Sequence, residues 1–267
     1  MPVDKEAVLA SGIIPKLLEE FLVDHMELNL KGNVLQKLDL VFLDLLVTTN
    51  WERPIYLNHT SMSELNLDLT PYAVQEGNVY RILPVKNPRN DRPYLVDTDK
   101  SYDLILNKFL FRGLDDPKVY YNDDYKIPVF MHRSNANTLA QALIDEGKKE
   151  KAAKVLLFSL EKMPDAGVPY DPTTADTVSL LFQAGQKRKA LEVANVVGHR
   201  ADEMATYLIA EGDRYSMELR QNIFVLGSLQ ESLYENGEST LAREFENAYE
   251  KLLSDLQSTM DGKRSDF

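Results

Sequence analysis

The sequence predicts a small layer of mixed helices and strands, α+β or α/β, over residues 1–127, and an all-α helical repeat region over residues 128–267. Two observations lead to this prediction. Short runs that alternate apolar and polar residues occur in the first part and are typical of strands. From about residue 132 to residue 258, helical patterns separated by short turns dominate, and a glycine-to-alanine spacing recurs.

Two short helices are predicted at the start of the chain, within residues 4–24. Asp4 can cap the first helix, which Gly12 ends, and Pro15 suits the first turn of the second helix. Apolar and polar residues then alternate through residues 26–32, which predicts a strand.

We expect the rest of the chain to be organised around the stretch of residues 34–58. Its first part predicts a helix that ends before Asn50, because apolar residues recur there at helical spacing. Proline is tolerated at the first residue of a strand, so the run from Pro54 to Asn58 predicts a strand. The only tryptophan, Trp51, joins the two. The apolar helical positions are Leu35, Leu38, Val41, Phe42, Leu45 and Leu46.

The remainder of the first part predicts a strand over residues 78–85, a loop over residues 86–99 and a helix over residues 102–111 that Gly113 stops. Two passages from strand to helix to strand suggest that some strands pair in parallel. Residues 115–128 are rich in turn formers and predict a hairpin at the boundary between the two parts.

Three pairs of a glycine and an alanine five residues later recur in the second part. The glycine would end one helix in a left-handed conformation, and the alanine would lie where two helices cross closely. The pairs are Gly147 with Ala152, Gly185 with Ala190, and Gly237 with Ala242.

This spacing resembles that of tetratricopeptide repeats, and the resemblance covers residues 133–253. In that family a proline follows the alanine by twelve positions, as Pro164 follows Ala152. The other two copies depart from the pattern, since Asp202 and Ser254 stand at the corresponding positions. A plain helical bundle with recurring turns is the alternative. A tetratricopeptide-like region would bind a protein or a peptide in its groove.

Composition limits the partners. The net charge of −12 argues against nucleic acid and against an anionic membrane surface, because both attract basic proteins. The longest apolar stretch, residues 38–47, is too short to span a bilayer and contains two aspartates, so we expect no direct membrane insertion of this chain. The chain has no cysteine, which excludes thiolate metal sites and disulfides.

No catalytic, cofactor or metal site is predicted. The four histidines are scattered and form no zinc-binding pattern. No phosphate-binding glycine loop or nucleophile elbow occurs, so neither a nucleotide cofactor nor a serine nucleophile is indicated.

Candidate binding residues lie at the two ends of the strand that begins at Pro54. Trp51, Glu52 and Arg53 precede the strand, and an exposed tryptophan beside an arginine could stack on a sugar or a peptide. Asn58 and His59 follow it, at the carboxyl end where ligands gather in α/β sheets. The alternative is that Trp51 fills the gap between helix and strand while Glu52 and Arg53 form local ion pairs.

Two further candidate binding residues, Tyr80 and Arg81, lie in the next predicted strand after the turn at Gly77. The alternative is that they serve packing and a local ion pair.

Four segments together resemble a bacterial family of multi-pass membrane proteins that is similar to protein O-mannosyltransferases. The resemblance spans most of the chain and is to the soluble C-terminal portion of that family. The segments are Pro2–Leu9 with Gly12 and Ile13, Asn50–Tyr56, Gln75–Val85 and Phe111–Tyr120.

The resemblance implies that this chain is a periplasmic, non-catalytic portion of a membrane glycosyltransferase-like protein. It would bind the acceptor protein, a glycan or a partner such as the parent transmembrane region. No catalytic residue of the family maps onto this sequence. One alternative is a self-standing tetratricopeptide-type adaptor. Another is an enzyme with its site near Asn58 and His59.

Overall fold

The computed structural model describes residues 1–89, 92–212 and 216–262. Parts of the predicted loop (90–91) and of the predicted helical region (213–215 and 263–267) lie outside the described residues. The chain divides into two compact units, Met1–Phe109 and Leu110–Phe267. The sequence placed the corresponding boundary after residue 127.

The first unit combines short helices with two small sheets, as expected of a mixed α and β region. In the described part of this unit, the α-helices are α1 (Lys5–Ala10), α2 (Lys37–Thr49), α3 (His59–Glu64) and α4 (Thr98–Asp103). The strands there are β1 (Asn29–Leu30), β2 (Ile55–Leu57), β3 (Leu67–Asp68), β4 (Ala73–Glu76), β5 (Val79–Ile82) and β6 (Leu95–Val96).

The sheets are mainly antiparallel, which corrects the suggestion of an α/β layer and makes this unit α+β. The larger sheet has the order β2-β5-β4-β6, and β1 pairs with β3 in the smaller one. Strand β5 is antiparallel to both β2 and β4, and only β6 runs parallel to its neighbour. Antiparallel neighbours follow from the tight turn at Gly77, which has φ of +64° and joins β4 directly to β5.

Several sequence-based boundaries were wrong in this unit. The strand predicted over residues 26–32 shrinks to β1, and the helix predicted after Pro15 is a 3₁₀ helix. Strand β6 lies inside the predicted loop, where it gains its hydrogen bonds from β4. The helix predicted over residues 102–111 begins earlier, as α4, and ends in a single π turn at Lys108.

One continuous core joins the elements of the first unit. Tyr72, Trp51 and Ile82 lie in it with at most 4% of their surface exposed. Helix α2 contributes Phe42 and Leu46 to this core, while its other apolar side chains face outward. The helical periodicity therefore located the helix correctly, but it did not show which apolar residues are buried.

In the part of the second unit that the structure describes, all regular secondary structure is helical. Its helices are α5 (Lys126–Asp145), α6 (Lys149–Lys162), α7 (Thr173–Gln183), α8 (Lys187–Ala210), α9 (Met217–Glu235) and α10 (Ser239–Gly262). They form three hairpins, α5–α6, α7–α8 and α9–α10, and the first helices of successive hairpins contact one another. The hairpin predicted over residues 115–128 forms no described strand; a 3₁₀ turn leads straight into α5.

The turns of the three hairpins share one geometry. Gly147, Gly185 and Gly237 have φ values of +75°, +76° and +78°. In each turn the amide after the glycine donates to the carbonyl five residues earlier, at 2.7–2.9 Å, which closes the helix end. The alanine five residues after each glycine is fully buried. Left-handed glycines and buried alanines were predicted from the spacing, and the structure confirms them.

Among residues 1–89, 92–212 and 216–262, no helix combines the length and apolar character needed to cross a bilayer.

Candidate functional site

The predicted binding residues before β2 differ in exposure. Trp51 is 4% exposed and has φ of +64°, directly after Asn50 with φ of +41°. Two left-handed residues in succession turn the chain sharply, and this turn directs the indole into the core. Trp51 therefore fills the space between helix and strand and does not form an exposed stacking surface. Glu52 and Arg53 are exposed.

The predicted residues after β2 begin the next helix. The Asn58 side chain accepts a hydrogen bond from the Ser61 amide at 2.7 Å and so caps α3, and His59 is its exposed first residue. Because β2 is an edge strand paired only with the antiparallel β5, its carboxyl end does not open on a crevice between parallel strands.

Tyr80 and Arg81 point to opposite faces of the sheet. Tyr80 is 2% exposed, and its hydroxyl lies 3.2 Å from that of Tyr94. Burial raises the pKa of the Tyr80 phenol, so this group stays neutral. Arg81 lies on the other face, where strand register places it beside Tyr56 and Val74.

The face that carries Arg81 also carries other charged side chains that contact one another. We refer to Tyr56, Glu76, Arg81 and Lys100 as the sheet-face cluster. Glu76 is 1% exposed and accepts from three donors. The Tyr56 hydroxyl donates at 2.7 Å, the Arg81 guanidinium at 3.2 Å, and the Lys100 ammonium completes the set.

The two cations also contact the aromatic ring of the cluster. The Arg81 guanidinium carbon and the Lys100 ammonium lie 5.9 Å and 5.7 Å from the centroid of the Tyr56 ring. Burial has the largest single effect on Lys100 and disfavours its charged form, but the hydrogen bonds to Glu76 and Tyr56 and the attraction of the Glu76 carboxylate together raise the pKa of Lys100.

The sheet-face cluster combines charged and aromatic groups whose hydrogen bonds limit what it can do chemically. Both carboxylate oxygens of Glu76 are engaged by donors, so this group is not available as a general base. The Tyr56 ring and the Lys100 side chain are both partly exposed, and the buried Arg81 Nε has no hydrogen-bond partner. A partly exposed aromatic side chain close to two cations can contact a sugar or an anionic group.

Sequence reasoning identified Arg81 but not its partners. A signal for Tyr56 was present, because alternation along β2 places it on the face opposite Ile55. The sequence held no such signal for Glu76 and Lys100. Glu76 contacts Arg81 because of the register between β4 and β5, and Lys100 contacts Glu76 because of the position of α4.

The second unit offers an open groove between α8 and α10, of about 730 Å³. Apolar residues Leu191, Val196 and Leu241 form its floor, and Asn195 and Glu244 are among its polar lining. Ion pairs of Lys187 with Glu238 and of Lys189 with Glu192 lie along its edges. An apolar floor between charged edges is suited to an extended or helical peptide segment.

Among the described residues, no three acidic or histidine side chains come close enough together to hold a metal ion.

Comparison with known proteins gives one relationship. No curated protein and no solved structure matches this chain. Residues 1–100, which contain the whole sheet-face cluster, match the family model described as TMEM260-associated domain 2.

Proposed function

We propose that this chain is the non-catalytic, periplasmic portion of a membrane glycosyltransferase-like protein, and that it binds the acceptor protein, a glycan or a partner for that enzyme. The observation that carries the proposal is the match of residues 1–100 to a domain associated with TMEM260, a membrane protein with O-mannosyltransferase-like features. The resemblance drawn from the sequence supports the same reading.

The geometry supports a separate binding task for each of the two units. The sheet-face cluster has an aromatic ring flanked by Arg81 and Lys100, which suits a sugar or an anionic glycan. The groove between α8 and α10 has the size and lining for a peptide segment. An accessory portion with both surfaces would bring an acceptor and a glycan to a membrane-embedded catalytic centre.

The reading frame upstream of codon 1 tests the first part of the proposal. We expect several apolar segments of about twenty residues each in the same gene. A second test fuses alkaline phosphatase after Phe267 of the parent protein, and the fusion should be active, because this enzyme folds only in an oxidising compartment. A gene that begins at Met1, or an inactive but stable fusion, would contradict the proposal.

Binding is tested on the purified chain. Fluorescence anisotropy with Ser- and Thr-containing acceptor peptides should show binding that Val196→Arg weakens at least about tenfold, since the new side chain fills the groove floor. Lys154→Glu, an exposed position on α6, is the matched control and should leave binding unchanged. If both substitutions changed the peptide affinity equally, the groove would not be the peptide-binding site.

The second candidate is a self-standing tetratricopeptide-type adaptor. Three hairpins with left-handed glycines and buried alanines favour it. This candidate expects a gene that starts at Met1 and peptide binding on α5, α7 and α9, the first helices of the hairpins. Reading the parent gene therefore distinguishes it from the first candidate.

A further inference from the structure

The outward side of α2 carries a stripe of apolar residues. Leu38, Val41 and Leu45 are 50%, 58% and 41% exposed. We call these three residues the α2 stripe. Their spacing of three and four residues is that of the seam of a coiled coil. The adjacent side of the helix packs into the core through Phe42 and Leu46.

We propose that the α2 stripe is the contact surface of a homodimer, in which α2 packs antiparallel against α2 of a second copy across a two-fold axis near Val41. At 100° per residue, Leu38, Val41 and Leu45 fall within an arc of about 60°. Such a stripe is as narrow as the surface that two packed helices cover, and one centred on Val41 can pair with itself.

The charges beside the stripe identify the partner as a second copy in antiparallel orientation. Lys37 and Asp44 lie on the same flank, seven residues apart, and both are exposed. In an antiparallel pair, residues on the same flank face each other, so Lys37 of each copy meets Asp44 of the other. The two-fold axis produces this favourable contact twice. A parallel pair would place each charge beside the other flank of the partner helix, which carries Phe42.

The same charges disfavour a lipid surface. Helices that lie in a membrane interface carry several basic residues on their polar face. The exposed flank of α2 has one lysine and one aspartate, with no net charge, and the whole chain carries −12. A protein surface of matching charge fits this helix better than an anionic bilayer does.

Sedimentation equilibrium of the full chain tests the proposal. We expect a monomer–dimer equilibrium that Val41→Asp shifts to monomer, with the dissociation constant raised at least about tenfold. Leu40→Asp is the matched control, because Leu40 is 54% exposed but lies about 130° around the helix from the centre of the stripe. Leu40→Asp should leave the dissociation constant within about twofold. Circular dichroism verifies that both variants are folded.

Charge reversal tests the partner and the orientation together. Lys37→Glu and Asp44→Lys should each weaken the dimer about threefold to tenfold, and the double variant should restore it. The chain has no cysteine, so single cysteines report orientation without background. Val41→Cys should crosslink to itself under oxidation, whereas Leu45→Cys should not, since two copies of residue 45 would be about 12 Å apart along an antiparallel pair.

Three outcomes would overturn the proposal. One is a chain that stays monomeric at millimolar concentration. Another is a dimer that Val41→Asp leaves intact. The third is a monomer that binds phosphatidylcholine–phosphatidylglycerol vesicles through Val41, which would assign the stripe to lipid.

Discussion

The ring of Phe245 occupies the space that a side chain at Gly198 would need. A Cβ atom at Gly198 would lie 2.1 Å from Cζ of Phe245, well inside van der Waals contact. Phe245 is 1% exposed, and its ring also packs edge-on against His199. Helices α8 and α10 therefore approach each other as closely as they do because residue 198 has no side chain.

This contact predicts that Gly198→Ala destabilises the second unit. Overpacking costs about 1–3 kcal/mol, which exceeds the 0.5–1 kcal/mol that alanine gains over glycine inside a helix. Gly227→Ala on α9 is the matched control, because its Cβ would find Tyr249 at an ordinary 3.6 Å. Urea unfolding should show a loss for Gly198→Ala and a small gain for Gly227→Ala. A gain in unfolding free energy for both variants would contradict the close contact between Gly198 and Phe245.

The contacts of Arg133 lead us to expect that this residue stabilises the connection between α6 and α7. This arginine is 3% exposed, and its guanidinium donates to the carbonyls of Met163, Val168 and Pro169 at 2.7–3.0 Å, as well as to Asp171 at 2.6 Å. Arg133→Ala should cost about 3–5 kcal/mol in unfolding free energy, because it leaves a carboxylate and three carbonyls without their donor.

Arg133→Lys should recover less than half of that loss, since an ammonium cannot reproduce the planar set of donors. Arg188→Ala, at an exposed position, is the control and should change unfolding free energy by at most about 0.5 kcal/mol. Thermal unfolding of the three variants measures this. Full recovery by lysine would show that only the charge matters.

The three donors that contact Glu76 lead us to expect that replacing this residue destabilises the first unit. Glu76→Gln should cost about 2–4 kcal/mol, because Arg81 and Lys100 then face each other without the carboxylate that neutralises them. Tyr56→Phe should cost only about 1 kcal/mol, the contribution of one hydrogen bond. Glu64→Gln, at an exposed position, serves as the control. A neutral outcome for Glu76→Gln in guanidinium unfolding would contradict the pairing.

The hydrogen bonds of the Asp39 carboxylate lead us to expect that the unfolding free energy depends on pH. Its carboxylate accepts from the Gln36 amide at 2.7 Å and from the Asn66 amide at 2.8 Å. The hydrogen bond from Gln36 has the largest effect and holds the pKa of Asp39 below its usual value of 3.8. A depressed folded pKa contributes stability above the unfolded pKa, and this stability is lost as pH falls through the folded pKa.

Wild type should therefore exceed Asp39→Asn in unfolding free energy at pH 7, and the difference should shrink below about pH 4. Denaturant unfolding at pH 7, 5 and 3 measures it. Glu64→Gln, which removes an exposed carboxylate of the same unit, is the control. A difference that is constant from pH 7 to pH 3 would contradict the linkage.

Local patterns predicted the helical unit well. A glycine with positive φ ends a helix through hydrogen bonds to the last turn of that helix. The alanine five residues later lies in the first turn of the following helix. Both are short-range features, so the spacing at Gly147, Gly185 and Gly237 was sufficient. Gly198 shows the limit of this reasoning, because its partner Phe245 is distant in sequence.

The candidate site was less accessible to sequence reasoning. Trp51 was predicted either as an exposed stacking residue or as a plug, and two left-handed residues decide for the core. Tyr56 and Arg81 meet only because β2 and β5 pair in one particular register. A shift of one residue between β2 and β5 would place Tyr56 and Arg81 on opposite faces of the sheet.

The sequence by itself determined that a mixed region precedes a helical one, where the helices of the second unit turn, and that the chain is acidic and lacks cysteine. These follow from short-range periodicity and composition. Only the tertiary structure decided that the larger sheet is mainly antiparallel, that Glu76 gathers Tyr56, Arg81 and Lys100, and that Leu38, Val41 and Leu45 face outward. Each of these depends on strand register or on which side of a helix meets the core, and contacts between distant parts of the chain select both.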